Sequence, residues 1–151
     1  MSGTGLDERG LPTGYAFNPD LEVTPREVHR ALRAGAEGET GSRAGPAGVE
    51  PPILLDVREA EELRVASVAG SVHIPLHELA DRLGELEDYR DRTIAVLCHH
   101  GRRSLKGALL LRQAGFAGAK SVAGGIEAWS LSADPRVPRY TRTGSACRRL
   151  A

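Results

Sequence analysis

The stretch TIAVLCHHGRRS, residues 93–104, decides the fold of this 151-residue chain. Its apolar first part, residues 93–97, has the composition of a buried strand, and the leucine-rich residues after Ser104 have that of a helix. The short turn between them holds one thiol, one glycine and two arginines. Backbone N–H groups in such a turn and at a helix start are free to bind an anion, and the helix dipole favours negative charge there. The stretch therefore predicts a strand–turn–helix unit with a site for a sulfur or phosphate anion.

Cys98 is the candidate catalytic residue in this turn. A thiol in a positive field ionises more easily, and the thiolate is the nucleophilic form. Gly101 permits a backbone geometry with positive φ, and Arg102 and Arg103 bring charge for which a packing cysteine has no use. The alternative is an inert buried cysteine beside solvated arginines. The remaining residues of the loop are expected to bind the substrate: His99, His100, Gly101, Arg102, Arg103 and Ser104.

The pattern Cys-x-x-Gly-x-Arg at 98–103 resembles the active loop of the rhodanese (sulfurtransferase) family. Three further segments resemble motifs of that family and follow its order: LLDVRE at 54–59, AGSVHIPL at 69–76 and VAGGIEAW at 122–129. The resemblance covers about residues 22–131. It implies a small α/β domain whose cysteine carries a persulfide.

Predicted strands alternate with predicted helices along the chain, which favours a parallel sheet covered on both faces. Together with the resemblance, this predicts a rhodanese-like three-layer α/β fold with a parallel sheet of about five strands. In open α/β sheets ligands bind outside the carboxyl ends of the strands. Cys98 follows a strand directly, so we expect it at that edge.

Asp56 and Arg58 stand at the carboxyl end of another predicted strand, residues 52–57. We assign them supporting roles, in which Asp56 orients an arginine of the active loop and Arg58 adds to a positive rim. A local Asp–Arg ion pair that only fixes the chain is the alternative, because such pairs are common.

The chain divides into three parts. Residues 1–20 are rich in Gly, Pro, Asp and Thr and are expected to be an N-terminal extension with little structure of its own. Residues 21–131 form the rhodanese-like domain, with a flexible insertion at 34–52 that is rich in Gly, Ala, Glu and Pro. Residues 132–151 form a basic C-terminal tail, which we expect to wrap the domain partly ordered, with contact to an acidic partner as the alternative.

Composition excludes several classes of function. The net charge is zero and aromatic residues make up 4%, which argues against nucleic-acid binding and against attraction to a membrane surface. No apolar run approaches the roughly 20 residues of a membrane span, and no secretory signal is recognisable. We expect a cytoplasmic protein without cofactor. Its partners would be a small-molecule sulfur donor and a thiol or cyanide acceptor, or a protein that donates or accepts sulfur.

The histidines and the second cysteine suggest weaker alternatives. His73, His77, His99 and His100 fit no zinc-ligand spacing, so no metal site is predicted. His99 and His100 are expected to shape the turn or to raise its positive potential. Cys147 is a possible resolving thiol for Cys98.

The sequence favours a sulfurtransferase over two rivals. A cysteine-dependent phosphatase would use the same parts, but related phosphatases resemble Cys-x5-Arg, and Ser104 stands at that arginine position here. No aspartate lies near the loop to serve as the general acid, although Asp56 is a conceivable substitute. The third alternative is a non-enzymatic sulfur-carrier or redox-sensing module.

Overall fold

A computed structural model describes residues 5–37 and 50–150 of the chain. Five short strands form a parallel sheet and two later strands form an antiparallel hairpin. The strands are β1 (Glu22–Val23), β2 (Ile53–Asp56), β3 (Val72–His73), β4 (Ile94–Leu97), β5 (Ala119–Val122), β6 (Tyr140–Thr143) and β7 (Ala146–Arg149). The helices are α1 (Pro25–Glu37), α2 (Ala60–Val65), α3 (Leu76–Leu79), α4 (Arg102–Gln113) and α5 (Gly125–Ser132), and a 3₁₀ segment (Ala80–Tyr89) follows α3.

Strand β4 lies at the centre of the parallel sheet, whose order is β1-β5-β4-β2-β3. Its side chains alternate between two cores. Ile94 and Val96 pack in the core that contains residues of α3, the 3₁₀ segment and α4. Ala95 and Leu97 pack in the core that contains residues of α1 and α5. Helices therefore cover both faces, and the predicted three-layer fold with a five-stranded parallel sheet is confirmed.

Helix α4 begins at Arg102, two residues earlier than its leucine pattern indicates. Gly101 precedes it with φ 109°, a left-handed conformation that glycine adopts without a steric cost. The chain can therefore turn sharply between β4 and α4. This short turn keeps the whole predicted loop at the carboxyl edge of the sheet.

The flexible insertion predicted at 34–52 does not begin at residue 34. Helix α1 continues to Glu37, and residues 38–49 lie outside the described part of the chain. Residues 50–52 lead directly into β2, and the carbonyl of Pro51 accepts a hydrogen bond from Arg92. Thr24 and Glu27 cap the start of α1 reciprocally, each side chain bonding the other's backbone N–H at 3.1 and 2.9 Å.

The N-terminal residues have more structure than predicted. Leu11 is fully buried in a small cluster with Ala123 and Ala128, beside Tyr15. The carboxylate of Asp7 accepts the backbone N–H of Leu11 at 3.0 Å, which fixes the turn that carries it. Residues 5–20 are thus packed on the domain, because the side chain of Leu11 is buried there. Composition alone does not reveal this burial.

The basic tail forms a defined element, which we call the C-terminal hairpin (residues 139–150). Strands β6 and β7 pair in antiparallel register with Gly144 at the turn, and Leu150 N–H donates to the Arg139 carbonyl at 2.8 Å. Tyr140 anchors the hairpin with 2% of its surface exposed. None of the helices in the described ranges combines the length and the apolar character that a membrane crossing requires.

Candidate active site

Cys98 lies directly after β4 with 1% of its surface exposed, and it is one of the residues that line a surface cavity. Its Sγ accepts the backbone N–H of Gly101 at 3.0 Å and lies 3.3 Å from Ser104 Oγ. Ser104 Oγ lies 2.7 Å from Ser121 Oγ, so the two hydroxyls form a buried chain. The Cys98 thiol donates to Ser104 Oγ, and the same hydroxyl can donate to the sulfur once the thiol has lost its proton. The Gly101 N–H is thus already aimed at the sulfur, and the Ser104 hydroxyl lies within reach as a second donor for its anionic form.

The loop backbone is held by the N-terminus of α5. The N–H of Ile126 donates to the Cys98 carbonyl at 2.8 Å, and the N–H of Glu127 donates to the His99 carbonyl at 3.1 Å. Gly125 makes this approach possible, because a Cβ there would collide with the His99 carbonyl and its φ is 64°. The segment 122–129, which the sequence singled out, thus serves to clamp the loop.

Arg103 is turned into the protein and forms a two-pronged ion pair with Glu62 of α2. Its Nη1 and Nη2 lie 2.7 and 3.0 Å from the two carboxylate oxygens. Tyr140 donates a further bond to Glu62 at 2.6 Å. Burial alone raises the pKa of Glu62, but the hydrogen bonds from Arg103 and Tyr140 outweigh it and lower the pKa to about 2. Glu62 is therefore a buried carboxylate that fixes Arg103. The sequence analysis did not predict this pair.

His99 lies between two rings and carries no charge at neutral pH. Its ring stacks on Tyr140 at 4.0 Å and on His100 at 3.9 Å, and its Nε2 bonds the Tyr140 carbonyl at 3.1 Å. Burial, with a smaller contribution from neighbouring His100, lowers the pKa of His99 to about 4. The expectation that His99 raises the positive potential of the turn is wrong, and the alternative that it shapes the turn agrees with these contacts.

The structure does not bring the side chains of Asp56 and Arg58 to the loop, where the sequence analysis expected them to act. Both side chains are fully buried and bind each other, with Arg58 Nη2 2.7 Å from the Asp56 carboxylate. Arg58 also donates to the Ala66 carbonyl at 2.9 Å and to the Tyr140 hydroxyl at 3.1 Å. Neither residue reaches the cavity or a loop arginine, because α2 and the C-terminal hairpin enclose the pair. These contacts agree with the alternative considered above, a local ion pair.

The cavity above Cys98 has a volume of about 640 Å³, and five of its six charged lining residues are cations. Its lining residues come from the loop, from α4 and α5, and from the C-terminal hairpin: Cys98, His99, His100, Arg102, Arg103, Lys106, Glu127, Arg139, Tyr140, Thr141, Arg142 and Leu150. The contribution of the hairpin was not foreseen. The only signal in the sequence was the excess of arginine in the last twenty residues, which does not say where they fold.

Two sequence-based alternatives concern groups outside the loop. Cys98 and Cys147 are both free thiols, and Cys147 is not among the described residues that line the cavity. The resolving role of Cys147 thus gains no support from the structure. Within residues 5–37 and 50–150, no three or more His, Cys, Asp and Glu side chains are grouped to hold a metal ion.

Comparison with known proteins places these observations in a family. The sequence model of the family described as rhodanese-like domain matches residues 43–132, more than half of the chain. The adenylyltransferase and sulfurtransferase MOCS3-1 of Zea mays is 40% identical over 140 residues, which are 89% of this chain and 27% of the maize protein. The thiosulfate sulfurtransferase GlpE of Pseudomonas savastanoi pv. phaseolicola is 35% identical over 77 residues, 51% of this chain and 71% of GlpE.

A solved structure agrees with these matches. The rhodanese-related protein of Thermoplasma volcanium superposes with a TM-score of 0.56 at 31% identity, covering 72% of this chain and 89% of that one. The chain corresponds to only 20% and 27% of the two maize MOCS3 proteins it matches, so it is similar to one part of them. With the fold, the loop and the matched domain in agreement, the chain belongs to the rhodanese-like domain family, whose relatives here include sulfurtransferases.

Proposed function

We propose that this protein is a sulfurtransferase that moves a sulfane sulfur from thiosulfate or a persulfide donor to a thiophilic acceptor through a persulfide on Cys98. One observation carries the proposal. Cys98 lines a cavity whose charged side chains are mostly cations, and its sulfur lies 3.0 Å from the Gly101 nitrogen and 3.3 Å from the Ser104 hydroxyl oxygen. The N–H, the hydroxyl and the neighbouring cations support an anionic Cys98 sulfur, the form that attacks the donor.

In the first half-reaction the Cys98 thiolate attacks the outer sulfur of thiosulfate. A sulfur–sulfur bond forms to Cys98, the sulfur–sulfur bond of thiosulfate breaks, and sulfite leaves with the electron pair. The negative charge passes to the outer sulfur of the new persulfide. Arg102 and Lys106 line the cavity and attract the donor anion, while Arg103 is held in place by Glu62.

In the second half-reaction the acceptor attacks the outer sulfur of the persulfide. The bond to Cys98 breaks, Cys98 regains its thiolate, and the acceptor leaves as thiocyanate or as a new persulfide. Two such steps on one nucleophile predict ping-pong kinetics. A protein that only carries sulfur would use the same persulfide with a protein as its acceptor.

The experiment is a thiosulfate and cyanide assay with the full chain. We expect thiocyanate release and, without acceptor, a mass gain of about 32 Da on the Cys98 peptide that cyanide removes. Cys98→Ser should abolish both signals, whereas Cys147→Ser is the matched control and should keep them. Release of phosphate from an aryl phosphate without any persulfide would overturn the proposal in favour of a phosphatase. Persistence of transfer in Cys98→Ser would contradict the assignment of the nucleophile.

A further inference from the structure

The C-terminal hairpin forms one wall of the cavity that the proposed function uses. Thr141, Arg142 and Leu150 line this wall, and they follow the matched domain in the chain. Tyr140 fixes the wall to the loop by stacking on His99 and bonding Glu62. The hairpin is therefore built into the site and does not merely lie near it.

The two walls of the cavity carry cations that are not fully balanced. Arg102 and Lys106, both on α4, form no ion pair within the described part of the chain. On the hairpin wall, Arg142 lies 3.4 Å from Glu62, whose single charge already balances Arg103. The five cations that line the cavity thus exceed the two carboxylates paired with them, Glu62 and Glu127, by three charges. In contrast, Arg139 is matched by Glu127 at 2.6 Å.

The cavity is larger than inorganic substrates require. Its volume of about 640 Å³ lies within the roughly 300–1,000 Å³ that is typical of pockets for organic ligands. Thiosulfate and cyanide consist of a few atoms and would leave most of this space to water. A larger ligand with negative groups at a distance from its reacting sulfur would use both the room and the cations.

We propose that the C-terminal hairpin and α4 form a subsite for the carboxylates of a small thiol, and that Arg142 and Lys106 make such a thiol the preferred sulfur acceptor. This inference rests on the proposed function. The thiolate of the acceptor attacks the outer sulfur of the Cys98 persulfide, the bond to Cys98 breaks, and Cys98 leaves as a thiolate. The acceptor becomes a persulfide, so sulfur and electrons balance without another reactant.

The test isolates the second half-reaction. The full chain is loaded with thiosulfate, desalted, and discharged by glutathione, by glutathione diethyl ester or by cyanide, with thiol rates expressed per thiolate. Glutathione keeps both carboxylates and its diethyl ester has neither free. We expect glutathione to discharge the persulfide about three- to five-fold faster than the ester, as one partly exposed ion pair would give. Added salt should reduce this ratio.

Matched variants assign the effect to the subsite. Arg142→Gln should bring the ratio of the discharge rate with glutathione to that with the ester close to one. Arg148→Gln is the control on the same hairpin, because Arg148 is exposed and is not among the described residues that line the cavity. It should keep the ratio of the wild type. Lys106→Gln should also lower the ratio of the glutathione rate to the ester rate. Because Lys106 is an exposed residue of α4, this variant does not depend on the folding of the hairpin.

The possible outcomes separate the two proposals. Discharge by cyanide together with a ratio near one in the wild type would overturn the subsite and leave the sulfurtransferase intact. An equal loss of the ratio in Arg148→Gln and Arg142→Gln would also overturn it, since net charge alone would then explain the effect. Failure to load any persulfide would overturn both.

Discussion

The hydroxyl of Tyr140 donates a 2.6 Å hydrogen bond to the carboxylate of Glu62, although 78 residues separate them in the chain. Glu62 in turn holds Arg103 of the loop by two bonds. The C-terminal hairpin, helix α2 and the active loop therefore meet at one buried carboxylate. A substitution of Glu62 should therefore change both the stability of the fold and the geometry of the site.

We expect Glu62→Gln to lower the free energy of unfolding by about 2 kcal/mol, less than for a fully buried pair because Arg103 is 26% exposed. The amide keeps the size of the side chain but gives Arg103 no counter-charge. The value of kcat/KM for thiosulfate should fall about ten-fold, because the loop loses its fixed geometry. Urea unfolding and the thiocyanate assay measure the two effects. Glu61→Gln, the adjacent position on α2, should change stability by less than about 0.5 kcal/mol.

Acid unfolding gives a second view of the same residue. The pKa of Glu62 is about 2 in the folded protein against an ordinary value of 4.5. A lowered carboxyl pKa stabilises the fold fully above pH 4.5, and the stabilisation is lost as the pH falls towards 2. Unfolding free energies measured between these pH values should decline more steeply in the wild type than in Glu62→Gln. Equal slopes would contradict an ionised Glu62 in the folded state.

His99 should produce a separate pH dependence at higher pH. Its folded pKa of about 4 lies below its ordinary value of 6.5, so the unfolded chain binds a proton that the folded chain does not. Stability is therefore complete above pH 6.5 and is lost as the pH falls to 4, by about 2–3 kcal/mol for this one group. Urea unfolding at a series of pH values measures it. His99→Phe keeps an aromatic ring against Tyr140 and should remove this slope, whereas His77→Gln, at an exposed position, should retain it.

Local sequence was sufficient to predict the unit from β4 to α4. The apolar run, the thiol, the glycine and the arginines are contiguous, and their chemistry depends on neighbours within a few residues. Gly101 adopts the positive φ that the turn needs, and its N–H reaches Cys98 Sγ at 3.0 Å. The alternation of strands and helices was equally local, which is why the parallel sheet followed from it.

Contacts between distant segments decided the features that were not predicted. Burial lowers the pKa of His99, whose ring stacks on Tyr140 from 41 positions away, and no pattern near His99 encodes that burial. Arg58 is buried because the Ala66 carbonyl and the Tyr140 hydroxyl satisfy it, so its sequence position at a strand end was misleading. The role of Glu62 required knowing that α2, the loop and the hairpin meet.

Breaking the buried pair of Asp56 and Arg58 should be costly. Asp56→Asn removes the counter-charge of an arginine that is fully buried, and we expect a loss of about 3–5 kcal/mol in unfolding free energy. Replacing both residues, as Asp56→Leu with Arg58→Met, removes both charges of the pair and should lose less stability than Asp56→Asn alone. Urea unfolding of both variants tests this order. The reverse order would show that the hydrogen bonds of Arg58 to Ala66 and Tyr140 matter more than the charge balance.

Gly125 offers a test of the clamp on the loop with a closely matched control. Gly125 and Gly144 both have a positive φ, 64° and 60°, so an alanine at either position carries the same backbone strain of about 1 kcal/mol. A Cβ at Gly144 meets nothing within 4 Å, whereas at Gly125 it would collide with the carbonyls of His99 and Cys98. Gly125→Ala should therefore lose clearly more stability than Gly144→Ala and should also slow persulfide formation, because α5 must withdraw its N–H groups from the loop. Urea unfolding and the mass of the Cys98 peptide after brief exposure to thiosulfate measure both quantities. If the two variants behaved alike, the contact between α5 and the loop would have no part in shaping the site.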